Sequence, residues 1–276
     1  MIKIAAVCTD IDGTLLDSRR ELSDRTIQAV KLINNAGIPL ILASSRMPGA
    51  MRHLQQQLGI LKQPMICFNG GYVILHEGDS SSTVILNTVT IPLSICLSIG
   101  ALAAGTDIHI SLYRADQWFA PNVDQWTQRE QTITKVNATI LPFDSVMSQW
   151  KKTDLGAHKV MCMGDERQIA DLYSELVKMF FDDLHVYRSR PTYLEIAPKT
   201  VSKATALRLL MKKRFDSDLS EVMAFGDNYN DVDMIRTTGY GIAVGNAIQE
   251  VKDVAKEITL NSKDDGVAIA IEKYFS

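Results

Sequence analysis

The feature that most limits how this 276-residue chain can fold is a repeated alternation of short apolar run, polar loop and amphipathic helix. Residues 4–8 are apolar and lead straight into Thr9-Asp10, the pattern of a buried parallel strand opening into a loop. Ser23 is placed to cap a helix running to Asn35, and Gly37 closes it. Residues 38–43 form a second buried strand, followed by Ser44-Ser45-Arg46 and a helix to about residue 58. Residues 64–68 supply a third strand, ending at Asn69-Gly70-Gly71. Strand, helix, strand, helix, strand in this order indicates a parallel, doubly wound, Rossmann-like α/β sheet.

The pattern changes near residue 83. Residues 84–89 read as a strand, 92–104 as a helix and 108–113 as a half-exposed strand that pairs with 117–120. A strand over 158–163, a helix over 166–181 and strands over 184–188 and 193–196 follow. The parallel pattern then returns with a helix over 203–214, a buried strand over 221–225, the loop 226–231, a helix to 236 and a strand over 240–244. The expected organisation is a core built from 1–82 and 191–276, interrupted by an inserted α+β cap domain at 83–190.

Bulk properties narrow the function classes. Hydrophobic residues make up 46% and charged residues 22%, which excludes disorder, and a net charge of −3 offers no basic footprint for nucleic acid or anionic lipid. An anionic substrate must therefore be held by a local site. Cys8, Cys67, Cys96 and Cys162 form no C-x-x-C pair and read as buried reduced thiols of a cytoplasmic protein. The first apolar run is too short for a signal-peptide core, and the most apolar later window, 91–105, falls short of the roughly 20 residues of a membrane span. Oligomeric state is not legible.

Two acidic loops carry the chemistry. Asp10-Ile11-Asp12-Gly13-Thr14 follows the first strand, where open α/β sheets bind ligands, and Gly13 permits a turn that brings both carboxylates to one site. Gly226-Asp227-Asn228-Tyr229-Asn230-Asp231 also follows a strand. Oxygen donors from two strand ends suit a hard cation such as Mg²⁺, although an acidic surface turn and an Asx-rich helix cap are the plainer alternatives for each loop alone. Ser44 and Ser45 follow the second strand, where hydroxyls and helix N-terminal N–H groups can face an anion together. Lys203 opens a helix, where a cation opposes the helix dipole, so pairing with carboxylates or phosphate is the expected compensation.

The ordered set Asp10-x-Asp12-Gly13-Thr14-Leu15, Ser44-Ser45-Arg46, Asn69-Gly70-Gly71, Lys203 and Gly226-Asp227-Asn228-x-Asn230-Asp231 resembles the haloacid dehalogenase-like phosphatase superfamily. Within it the chain resembles the Cof-type branch with a type IIB α/β cap, over essentially its whole length. The resemblance implies Asp10 as nucleophile and metal ligand, and Asp12 as general acid/base whose carbonyl touches the metal. It implies Asp227 as a further ligand, with Asn228 and Asp231 around it. Ile11, Ser44, Ser45, Lys203 and Asn230 would bind phosphate, with Asn69, Gly70 and Arg46 on the substrate side. Where the family often has Thr-Gly-Arg, this chain has Ser44-Ser45-Arg46, which keeps the first hydroxyl.

The implied activity is Mg²⁺-dependent hydrolysis of a small phosphorylated metabolite through an aspartyl-phosphate. Sugar phosphates, flavin mononucleotide and pyridoxal phosphate are candidates. A phosphomutase of the phosphomannomutase type and a non-catalytic phospholigand sensor are the competing readings. The cap is expected to cover the strand ends and read the leaving group. Its own polar residues, His109, Tyr113, Arg114, Trp118, His158, His185, Arg188 and Glu195, read more readily as packing or solvated positions than as substrate contacts. The run 160–163, rich in Met, reads as sheet core.

Overall fold

The computed structural model describes residues 3–76 and 83–275. In chain order the first elements are β1 (Ala6–Thr9), α1 (Asp24–Asn35), β2 (Leu40–Ala43), α2 (Gly49–Leu58), β3 (Met65–Cys67), β4 (Tyr72–His76) and β5 (Thr83–Thr88). Then come α3 (Leu93–Leu102), β6 (His109–Arg114), β7 (Gln117–Ala120), α4 (Gln125–Thr134), β8 (Thr139–Ile140) and α5 (Phe143–Lys151). They are followed by β9 (Lys159–Met163), α6 (Glu166–Met179), β10 (Leu184–Arg190) and β11 (Tyr193–Pro198). The chain finishes with α7 (Lys203–Leu210), β12 (Val222–Gly226), α8 (Val232–Thr237), β13 (Tyr240–Ala243), α9 (Gln249–Val254), β14 (Glu257–Ile258) and α10 (Gly266–Phe275).

Two compact units emerge. One comprises 1–45, 51–87 and 202–276; the other comprises 46–50 and 88–201. The first unit contains an eight-stranded sheet in the order β14-β13-β12-β1-β2-β3-β4-β5. Strands β14 to β3 run parallel, and β4 pairs antiparallel with β3. Every residue of β1, β2 and β12 is buried, as expected for strands covered on both faces. Ser23 caps α1 by accepting from the Thr26 amide, as its position in the sequence indicated.

The second unit is a six-stranded sheet in the order β10-β11-β9-β6-β7-β8. One face packs Ile110, Leu112, Val160, Cys162, Leu194 and Ile196 against residues of α3, α5 and α6. Val160 and Cys162 in that core bear out the reading of the 160–163 run. The sequence boundaries at 83 and 190 differ from the contact division at Asn87/Thr88 and Val201/Ser202. β5 joins the edge of the eight-stranded sheet, whereas β11 pairs with β9 and β10. All four cysteines are buried thiols outside any disulfide. Among the described residues no helix is long and apolar enough to cross a membrane.

Candidate active site

The register of two central strands brings the acidic loops together. β1 pairs with β12 so that Thr9 faces Phe225, which sets Asp10 level with Gly226 and one residue short of Asp227. The Asp10 amide donates to the Phe225 carbonyl at 3.0 Å, extending the ladder past the strand end. With β2 on one flank of β1 and β12 on the other, the connection reverses direction at this point, the usual ligand crevice of such sheets.

Immediately after Asp10 the chain makes a tight turn over Ile11–Leu15, closed by the Leu16 amide on the Ile11 carbonyl at 3.1 Å. Asp12 there is extended (φ −81°, ψ 115°) and Gly13 has φ +85°, a conformation that glycine adopts without a Cβ penalty. Thr14 donates its hydroxyl to Asp227 Oδ1 at 2.8 Å, joining the two loops directly. Ile11 is fully buried beneath the turn, and Asp12 is half-buried.

Lys203 stands at the first position of α7, whose cap Ser202 accepts from the Thr205 amide. Its side chain is 0% exposed, and its ammonium donates to Asp10 Oδ1 and, at 2.7 Å, to Asp231 Oδ1. These two pairings compensate the unfavourable placement at a helix N-terminus. Gly70 makes the close approach possible: with φ +105°, a Cβ there would lie 2.5 Å from the Ser202 carbonyl oxygen. The other Asp231 oxygen accepts from the amides of Asp227 at 3.0 Å and Asn228 at 3.1 Å. Asp231 thus holds Lys203 with one oxygen and the Asp227 loop with the other.

Burial governs the electrostatics. It pushes the Asp10 carboxyl well above its ordinary value, with Asp231 and Asp227 adding and Lys203 opposing. It pushes Asp227 up to about 6, the Thr14 hydrogen bond opposing and the Asp231 charge adding. For Lys203 burial acts downward, but the charges of Asp10 and Asp231 outweigh it and hold the ammonium well above its ordinary range. One carboxylate oxygen from each of Asp10, Asp227 and Asp231 lies within 4.8 Å of the others. Three clustered carboxylates beside one ammonium leave excess negative charge, and an all-oxygen donor set fits a hard divalent cation.

Most of the expected phosphate-side residues lie in this same unit. Ser44 is buried, its amide donating to Ile66 and its carbonyl accepting from the Asn69 amide, both at 2.9 Å. Asn69, at φ +55°, accepts with its side chain from Asn230 Nδ2 at 2.9 Å. Ser44, Asn69 and Asn230 therefore form one hydrogen-bonded row. Ser45 is half-buried. One expectation changes. α2 begins only at Gly49, after Pro48, so Ser44 and Ser45 do not open a helix and its N-terminal N–H groups are not theirs. Arg46 falls in the other compact unit, with its Nη1 donating to the Ala50 carbonyl at 3.2 Å. Asn228 caps the short turn Tyr229–Asp231, accepting from the Tyr229 amide at 2.8 Å, so its capping role is met alongside any other.

The cap's polar residues behave mainly as packing. Tyr113 stacks on Trp118 with centroids 5.6 Å apart, and His109 bridges Asp124 at 2.7 Å and Ser111 at 3.0 Å. Glu195 is half-buried, and Arg188 hydrogen-bonds the Pro191 carbonyl at 2.9 Å. Sequence reasoning missed Asn246, whose amide donates to the Gly13 carbonyl at 2.8 Å. No local motif signals it; only the contact does.

Comparison with known proteins agrees with this geometry. Residues 7–271 match a family described as haloacid dehalogenase-like hydrolase. A Haemophilus influenzae protein carrying a provisional phosphatase name is 31% identical over 271 residues, covering 98% of each chain. The protein named HMP-PP phosphatase of Yersinia pseudotuberculosis is 26% identical over 279 residues, covering 100% of this chain and 96% of that one. A solved haloacid dehalogenase-like hydrolase from Bacteroides thetaiotaomicron superposes with a TM-score of 0.88 at 31% identity, covering 99% of this chain and 100% of the other.

Proposed function

The chain belongs to the haloacid dehalogenase-like hydrolases and is a phosphatase of that family, and we propose that it hydrolyses phosphate monoesters of small metabolites by way of an aspartyl-phosphate on Asp10. The observation that carries this reading is the Lys203 ammonium held between Asp10 and Asp231, with a second carboxylate at i+2 in the same turn. A sensor that only bound phosphate would have no use for that second carboxylate.

A dianionic phosphate is repelled by a carboxylate nucleophile, and Lys203 offsets part of that repulsion. Asp10, the Asp12 carbonyl and Asp227 are the groups that would hold Mg²⁺, which when bound supplies the remaining charge neutralisation. Asp231, both of whose oxygens are engaged, braces Lys203 and the Asp227 loop instead. Ser44, Ser45, Asn230 and the Ile11 amide would receive the phosphoryl oxygens, with Asn69 and Gly70 beside them. In the first step an Asp10 oxygen attacks phosphorus, the bond to the leaving oxygen breaks, and protonated Asp12 gives that oxygen its proton. In the second, water attacks the aspartyl-phosphate, Asp12 takes its proton, and Asp10 is released as carboxylate with inorganic phosphate.

Phosphate release from a panel of sugar phosphates, flavin mononucleotide, pyridoxal phosphate and p-nitrophenyl phosphate tests the reading. Activity with Mg²⁺, its loss with a chelator, and its loss in Asp10→Asn and Asp12→Asn are expected. Undiminished single-turnover rates in either variant would refute the assigned roles.

A further inference from the structure

We infer that Asn246 is a positioning residue for the phosphatase reaction: its side-chain amide latches the nucleophile turn to the loop after β13 and sets where Asp12 stands relative to Asp227. Asn246 Nδ2 donates to the Gly13 carbonyl at 2.8 Å, and its Oδ1 accepts from the Ser262 amide at 2.7 Å. A carbonyl requires a donor and an amide N–H requires an acceptor, so only this orientation of the side chain serves both.

The segment around Asn246 is built to reach both acidic loops. The Val244 amide donates to the Gly226 carbonyl at 3.3 Å and the Ile248 amide to the Asp227 carbonyl at 2.9 Å. Backbone bonds from this segment therefore hold the Asp227 loop, while the Asn246 side chain holds the turn that carries Asp12 and Gly13. The segment is itself anchored. The Gly245 amide donates to the Leu260 carbonyl at 2.9 Å, and a Cβ on Gly245 would lie 2.7 Å from Asn261 Oδ1. Asn261 thus abuts Gly245, next to the amide that fixes the Asn246 oxygen.

Asn246 is exposed, so its hydrogen bonds exchange against water and contribute little to stability. The larger effect is geometric. The Gly13 peptide adjoins Asp12, and a displacement of that turn by a fraction of an ångström moves the acid/base and the carbonyl assigned to the cation together. The inference rests on the Mg²⁺-phosphatase reading above.

The test compares wild type with Asn246→Asp and Asn246→Ala by thermal unfolding of metal-free protein, by Mg²⁺ titration of the unfolding midpoint, and by kcat and KM for p-nitrophenyl phosphate. Asn246→Asp is nearly isosteric and keeps the acceptor for Ser262, but turns an oxygen toward the Gly13 carbonyl. The metal-free midpoints should stay within about 4 °C of wild type. The Mg²⁺ concentration giving half the thermal shift should rise about 10-fold in both variants, and kcat should fall about 10-fold with little change in KM. A rise in Asn246→Asp is diagnostic, because its added charge alone would tighten cation binding. Unchanged Mg²⁺ titration and kcat in Asn246→Ala would overturn the inference, as would a lowered midpoint with both otherwise unchanged. If wild type itself gives no thermal response to Mg²⁺, the metal reading fails instead, and kcat of Asn246→Ala still decides whether the latch acts.

Discussion

Gly13 and Asp227 occupy one another's space: a Cβ built on Gly13 would lie 2.4 Å from Asp227 Oδ2. The carboxylate sits where any side chain at position 13 would have to go, and the backbone there is already at φ +85°. Gly13→Ala therefore forces either the turn or Asp227 to move and adds backbone strain of about 1–3 kcal/mol. kcat/KM should fall about 100-fold, with a weakened thermal response to Mg²⁺. Steady-state kinetics together with the Mg²⁺ titration check this; wild-type values for both would show that the close approach has no functional consequence.

Lys203 is wholly buried between Asp10 and Asp231, so removing its charge leaves two carboxylates facing each other without a counter-ion. Lys203→Met should lower stability at neutral pH by about 3–5 kcal/mol and abolish turnover. Adding Asp231→Asn should restore much of the stability, since one of the opposed charges is gone, yet none of the activity. Urea unfolding and phosphate release on the single and double variants separate the two effects. A double variant no more stable than the single would contradict the charge-pair account.

His158 makes the second unit sensitive to acid. Its Nδ1 accepts from the Ala115 amide at 3.0 Å, so the ring proton lies on Nε2, 3.0 Å from the Thr88 hydroxyl oxygen. Burial, with the Arg114 charge adding, pushes its pKa down to about 3. Between about pH 6.5 and that value the unfolded chain binds a proton that the folded one refuses, so stability falls as pH drops, by about 1.4 kcal/mol per unit. His109 and His185, also lowered by burial, act in the same direction. His158→Gln should flatten the slope by one proton in unfolding measured from pH 7.5 to 5. Parallel slopes in variant and wild type would contradict this.

Much of the fold was legible because its signals are local. Apolar runs that end on polar loops marked β1, β2, β3 and β12, and the Ser23 cap marked α1. The acidic loops were legible because each directly follows a buried apolar run; that β1 and β12 lie side by side with their ends level comes from the sheet order and register. What stayed hidden depends on distant partners. β4 follows Asn69-Gly70-Gly71 directly and turns back antiparallel on β3, and β5 joins that sheet's edge although its sequence reads as the start of the insertion. Neither α4 nor α5 was anticipated: α4 is polar with weak periodicity, whereas Phe143, Val146, Met147 and Trp150 of α5 do recur at helical spacing, but over only nine residues. α2 starts three residues later than Arg46 because Met47 and Pro48 precede it. Asn246 looks like an ordinary turn asparagine; its importance comes from Gly13, far away in the chain.

Phosphorylation of Asp10 is the step on which every other assigned role depends. Rapid acid quench of the enzyme with a radiolabelled phosphate ester and Mg²⁺, followed by proteolysis, would read this directly. The predicted result is label on the peptide containing Asp10, released by hydroxylamine, absent in Asp10→Asn and absent without the cation. Full release of phosphate with no label on the chain at any time, or label on a different residue, would contradict it.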